Sequence, residues 1–274
     1  MPIRVLTLLI AGALALGLVA CGDDEETQSL TFTITQQGKE LKVTGPESAE
    51  TGLAEITLDN EGKGDGDIQL IRVEGDHSPE EVIDGLEKAL QGKALPNWFF
   101  AGGGVGTTGP GASQAVTQVL EPGTYYAFVT EGGQAPDPAS VPAMEVTGEE
   151  ADETVEADET VSAFDYGFDA EGLPSGETEI AFDNTGAQPH HLVAAPLSGE
   201  NTAKDVEGFF KSSEGKPPFE EEGIRSTAVI EGGEDQLVTF DLKPGRYVLF
   251  CFISDRKGGP PHALKGMVDE VEVE

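Results

Sequence analysis

Apolar and polar residues alternate along most of the chain from Ser29 onward. SLTFTITQQ, AEITLDN, QAVTQVL and TYYAFV put apolar side chains at every second position and are rich in β-branched and aromatic residues. That period of two predicts half-buried strands. Turns built on Gly and Pro, as in EPGTY and KPGRY, separate them. Two stretches follow a helical period instead. In SPEEVIDGLEKAL (Ser78 to Leu90), Ser78 stands as N-cap, Pro79 opens the helix, acids fill the first turn, and Val82, Ile83, Leu86 and Leu90 share one face. TAKDVEGFFKSSEGK (Thr202 to Lys216) repeats the plan with Val206, Phe209 and Phe210.

The chain carries this design twice. LAEITLDNEGKGDGDIQLIRV aligns with TEIAFDNTGAQPHHLVAAPL through the Asp-Asn-x-Gly turns at Asp59-Asn60 and Asp183-Asn184. ASQAVTQVLEPGTYYAFV aligns without a gap with EDQLVTFDLKPGRYVLFC, and each half closes on an alternating strand, AMEVT and DEVEVE. Each repeat is a whole domain rather than a solenoid turn. Short strands at regular spacing predict an all-β fold of two tandem Greek-key β-sandwiches, each with a short helical insertion. The expected divisions are a leader over 1–20, an acidic tether over 21–28, a first domain over 29–147, an acidic linker over 148–161 and a second domain over 162–274. The linker run doubles ADETV and reads as a solvated spacer. The glycine-rich AGGGVGTTGPG (Ala101 to Gly111) lacks the Lys-Ser/Thr of a phosphate loop and reads as a flexible connector. Trp98, Phe99 and Phe100 beside it read as core or interface packing.

The front of the chain speaks of location. Arg4, the apolar run Val5 to Val19 and the acids after Gly22 form a secretory signal, too short for a membrane span. Leu18-Val19-Ala20-Cys21 resembles the bacterial lipobox. The resemblance implies cleavage before Cys21, lipidation of that residue, and anchoring at an extracytoplasmic membrane face. Fifty-one acids against sixteen bases give a formal charge of −35. Such a surface repels nucleic acid and anionic lipid, so neither is an expected partner.

With Cys21 used for lipid, Cys251 is the one remaining thiol and has no disulfide partner. It ends the apolar strand KPGRYVLFC and is followed by PPHALKGMV. Together with NTGAQPHHLV, these segments resemble the cupredoxins, the plastocyanin-like blue-copper proteins, over the second domain. The resemblance implies a cupredoxin-like fold in both halves and one copper ion in the second. His190, Cys251 and His262 would be its strong ligands and Met267 a weak axial one. A soft thiolate with two imidazoles and a thioether suits copper. Metal binding would also account for a free thiol persisting outside the cytoplasm. Ten residues, FISDRKGGPP, separate Cys251 from His262, more than in the family's common forms. Arg256 and Lys257 in that loop bring positive charge near the site and suggest a docking surface.

Alternatives stay open on the residues alone. Cys251 and Met267 taken singly are ordinary core residues, and His190 or His191 can equally be a surface or hydrogen-bonded side chain. His191 also rivals His190, because neighbours on a strand face opposite ways. The first half has Gly66 and Val129 where the second has His190 and Cys251, so it keeps the scaffold without the ligands. No enzyme is expected. Only His77 and His191 remain after a single blue site, too few for further copper centres, and His77 reads as a loop residue. The function expected is electron transfer or copper carriage with a redox or copper-exchange partner. The competing reading is a metal-free cupredoxin-like protein-interaction module.

Overall fold

The computed structural model describes residues 27–38, 40–129 and 141–274. The leader 1–20, Cys21 and nearly all of the tether 21–28 lie outside the described residues. Among the described residues, no helix is long and apolar enough to cross a membrane.

The strand pattern builds an all-β fold with internal duplication. In chain order the first unit contains β1 (Gln28–Gln37), β2 (Glu40–Thr44), β3 (Ser48–Glu50), β4 (Gly52–Asn60), β5 (Gly66–Val73), α1 (Pro79–Leu90), β6 (Phe99–Thr108), β7 (Ser113–Leu120), β8 (Gly123–Phe128) and β9 (Ala143–Thr147). The second unit contains β10 (Glu159–Phe164), β11 (Gly167–Asp169), β12 (Gly176–Asn184), β13 (Val193–Pro196), α2 (Ala203–Ser212), β14 (Arg225–Ser226), β15 (Asp235–Leu242), β16 (Gly245–Phe250), a 3-10 turn at His262–Lys265 and β17 (Val268–Val273). Each unit faces one sheet with another, β3-β9-β8-β5-β6 in the first and β14-β13-β16-β17 in the second. The remaining strands of both units join into one eight-stranded sheet, β11-β10-β12-β15-β7-β4-β1-β2.

The junction of that sheet is where the duplication meets itself. β7 and β15 pair antiparallel with Val116 opposite Val238, two residues that occupy the same place in the repeat. Equivalent strands are therefore related by a local two-fold, and the sheet order reads alike outward from the junction. One apolar core runs through both units, from Phe32, Ile56 and Leu58 to Ile180, Phe182 and Phe240.

Local chemistry is duplicated too. Asn60 and Asn184 each end a strand, buried, and each accepts from the glycine amide two residues on, Gly62 or Gly186. Each donates its amide to backbone carbonyls, Gly64 and Thr108 for Asn60, and Gln188, Ile230 and Glu231 for Asn184. The turns EPGTY and KPGRY match as well, since Tyr125 and Tyr247 accept through their hydroxyls from the Glu121 and Lys243 amides, both at 3.1 Å.

Both helices form where the pattern puts them. Ser78 and Glu81 close a capping box on α1, and Val82, Ile83 and Leu86 are buried. Leu90 departs from the expected face: it is 52% exposed, because the helix ends there and the chain turns away. α2 stops at Ser212, with Ser213 left-handed, and Phe209 and Phe210 pack half-buried beside Phe219 and Phe250.

The glycine-rich run is a correction. It forms most of β6, a mostly buried strand, rather than a flexible connector. Its glycines serve close approach: a Cβ on Gly106 would sit 1.7 Å from the Ser226 carbonyl oxygen, and one on Gly104, at φ +123°, 2.2 Å from that of Ile68. The backbone polar groups laid bare there are satisfied by buried glutamines. Gln69 donates to Gly103 and Val229, Gln118 to Gly102, and Gln236 to Gly104 and the Gln118 side chain. Three of these bonds cross between units. The acidic run 148–161 has no regular structure until Glu159, where β10 begins, and Val161 is fully buried in the core.

Removing the duplicated asparagine turn tests this account. Asn184→Ala strands two buried carbonyls and a half-buried one and should lower stability by about 2 kcal/mol in chemical denaturation, with Asn60→Ala costing about as much.

Candidate metal centre

Three of the four expected donors come together at one end of the second unit. The ligand atoms of His190, Cys251 and His262 lie within 4.8 Å of one another, and all three residues are buried. His190 Nδ1 and His262 Nδ1 are 3.0 Å apart, and Cys251 Sγ is 3.6 Å from His262 Nδ1.

Each donor is placed by a neighbouring element. His190 follows the Asn184 turn and exchanges both backbone hydrogen bonds with Ile230, each at 3.0 Å. That same Ile230 carbonyl takes the Asn184 amide, so the turn and the ligand share an anchor. Cys251 comes directly after β16, and its carbonyl accepts from the Ala263 amide at 2.8 Å. His262 opens the 3-10 turn, its amide donating to the Ile253 carbonyl at 2.9 Å. Met267 is fully buried in the same apolar cluster as Cys251, and its amide donates to the His262 carbonyl at 3.1 Å.

The geometry resolves the adjacent histidines. His190 turns into the cluster, whereas His191 points elsewhere and accepts from the Phe252 amide through Nε2 at 3.0 Å. His191 lines a cavity of about 690 Å³ between the units, bordered also by Ile68, Leu90 and Phe252. His77 belongs to the first unit, stacked on Trp98 with centroids 3.8 Å apart.

Two carboxylates set the histidine tautomers. His190 Nε2 lies 3.0 Å from Asp165 Oδ1, and His262 Nε2 lies 3.0 Å from Asp255 Oδ1. A carboxylate only accepts, so each Nε2 carries its proton and each Nδ1 presents a lone pair. Asp165 also accepts from the amides of Ala187 and Gln188, both at 3.3 Å. A Cβ on Gly186 would fall 2.5 Å from Asp165 Oδ1, so the residue that turns this loop has to be small. Asp255 accepts from Tyr166 at 2.9 Å and from Lys265 as well.

The ionisation states follow from burial. Burial lowers His190, and burial together with the charge of His190 lowers His262 to about 4. Burial pushes the Cys251 thiol up to about 12. Burial would raise Asp255 too, but the hydrogen bonds from Lys265, Tyr166 and His262 outweigh it and hold that carboxyl low. At neutral pH the cluster is thus two neutral imidazoles aiming lone pairs at a common point beside a sulfur. Lone pairs 3.0 Å apart repel unless a cation or proton lies between them, and soft sulfur with two imidazole nitrogens is a donor set that fits one copper ion.

The first unit has filled the matching space. A Cβ on Gly66 would meet Ile34 Cδ1 at 2.9 Å, and Ile34 is itself buried. Val129 packs against the core where the second unit has Cys251.

Pattern reading missed the carboxylates. Asp165 stands 25 residues before its histidine and belongs to no motif. Asp255, inside the long loop, offered the one available signal, an acid between two ligands. The proposed basic docking surface is also corrected for Arg256. Its guanidinium is tied to Glu231 at 2.5 Å and lies over the Phe100 ring, while Lys257 is exposed.

No protein-family profile and no curated protein matches the chain. Solved structures do resemble it in fold. A dithionite-reduced auracyanin from Roseiflexus castenholzii is 23% identical over 43% of this chain and 99% of its own, with a TM-score of 0.29. Auracyanin A, a blue copper protein from Chloroflexus aurantiacus, is 22% identical over 42% of this chain and 98% of its own, with a TM-score of 0.28. A copper nitrite reductase from Nitrosomonas europaea is 12% identical, covers 91% of this chain and 94% of its own, and has a TM-score of 0.28. Likenesses this distant assign no function, which is argued instead from the site.

Asp165→Ala and Asp255→Ala should each weaken copper binding about 10- to 100-fold in a competition titration, because the imidazole beside each would lose its fixed tautomer. By its fold and its donor set, the chain is a duplicated all-β protein whose second unit holds, among the described residues, one candidate copper site.

Proposed function

We propose that this protein is a membrane-anchored, extracytoplasmic copper protein that binds one copper ion through His190, Cys251 and His262, with Met267 as a weak axial ligand, and transfers electrons to or from a protein partner. The observation that carries the proposal is the convergence of one thiol and two neutral imidazoles at a buried point. Copper held there supplies one-electron exchange between its two oxidation states. The protein's own residues fix the donors, exclude water and keep the site rigid, so ligand positions change little on reduction.

Electron transfer is favoured over copper carriage by the burial of His262. Its side chain is wholly covered, with Tyr166 packed at 5.0 Å between ring centroids and Asp255 on its outer nitrogen. An electron can cross such a cover, whereas an ion has to displace it. Anchoring rests on the leader and Cys21, which match a lipidation signal. A charge of −35 favours a partner with a basic face. A non-catalytic role is proposed because, beyond one copper site, His77 and His191 are the only histidines left, and each is engaged by other side chains or backbone, His77 by Trp98 and His191 by the Phe252 amide.

Adding Cu(II) to the purified protein should produce an intense visible thiolate-to-copper absorption band at one copper per chain. The band should disappear in Cys251→Ser and persist in His77→Ala. A protein that stays colourless and binds no stoichiometric copper would favour the metal-free interaction module instead.

A further inference from the structure

The loop that joins Cys251 to His262 is held from outside its own unit. The Leu95 amide donates to the Arg256 carbonyl at 2.8 Å, and the Gly259 amide donates to the Gly92 carbonyl at 2.9 Å. The Arg256 guanidinium donates to the carbonyls of Pro96 at 3.1 Å and Phe99 at 2.9 Å. It also lies 4.7 Å from the centroid of Phe100, a ring that Arg72 contacts as well. Every one of these partners belongs to the unit that lacks metal donors.

The approach is backbone on backbone. A Cβ on Gly258, at φ +78°, would fall 2.8 Å from both the Ala94 nitrogen and the Gly92 oxygen. Only glycine lets the two chains lie this close. Glu231 completes the joint by accepting from both Arg256 and the Ala101 amide of the first unit. On its inner side Arg256 reaches the metal end, because its amide donates to the Gln188 side chain at 3.0 Å, two positions before His190.

We infer that the donor-free first unit is a brace for the metal-binding loop, with Arg256 as the residue that pins the ten-residue segment to it. The inference rests on the copper-site reading for its purpose, though the brace itself is independent of metal. A free loop of this length would sample many conformations, and His262 with its partner Asp255 would move with it. Fastened at Gly259 and Arg256, the segment keeps His262 in register with His190 and Cys251 before any ion arrives. The fork of the guanidinium matters, since it serves two carbonyls, a carboxylate and a ring face together, which an ammonium cannot.

The test compares full-length wild-type protein with Arg256→Gln, Arg256→Lys and Lys257→Ala. Hydrogen exchange of residues 252–261 is measured without metal, and copper release to a chelator is measured after loading. Arg256→Gln should speed exchange in that loop while leaving β15 and β16 as protected as in wild type, and should speed copper release about 10-fold. Arg256→Lys should fall between, and Lys257→Ala should match wild type. Should Arg256→Gln lose the fold, the same comparison is made on Phe100→Leu, which leaves the Arg256–Glu231 pair in place. Loop protection and copper release unchanged in a folded Arg256→Gln or Phe100→Leu protein would overturn the brace. If wild-type protein binds no copper, the exchange arm still decides the brace, and only the copper reading fails.

Discussion

Two imidazole nitrogens held 3.0 Å apart, each with its outer proton committed to a carboxylate, form the constraint on which the rest of this structure turns. Placed so, the rings offer lone pairs to one point, and burial keeps them neutral. A thiol beside them, raised by burial to about 12, would release its proton readily only if a bound cation stabilised the thiolate. Nothing in packing alone calls for this arrangement. The first unit shows the alternative, with Ile34 against Gly66 and a plain apolar fill.

The scaffold explains how such a point is kept. His190 hangs from the Asn184 turn, Cys251 from the end of β16, and His262 from a 3-10 turn tied back to Cys251 and Ile253. These anchors are backbone hydrogen bonds and buried side-chain amides, so the donors inherit the stiffness of the sheets. The sheet shared across β7 and β15 makes the two units one mechanical body, and the glutamines at Gln69, Gln118 and Gln236 close the seam. Duplication thus gives one chain a donor-bearing copy and a supporting one.

Much of this was legible in the sequence. Strand alternation, both helix starts, the repeat and its Asn turns are local patterns, and local patterns survive folding. The meeting of His190, Cys251 and His262 was legible by resemblance, though the choice between His190 and His191 needed the bridge to Ile230 that fixes which ring turns inward. The glycine run misled because glycine signals freedom along a chain, while here it permits close contact between strands, as at Gly104 and Gly106. Asp165 and the tie of Arg256 to Phe100 were invisible because each depends on segments far apart in sequence brought side by side.

The central claim is that one sulfur and two imidazoles share a single copper ion, and X-ray absorption at the copper edge of the loaded protein addresses it directly. The account predicts one short copper–sulfur path together with two imidazole nitrogen paths. A spectrum with nitrogen and oxygen neighbours alone, and no sulfur bound to copper, would contradict it.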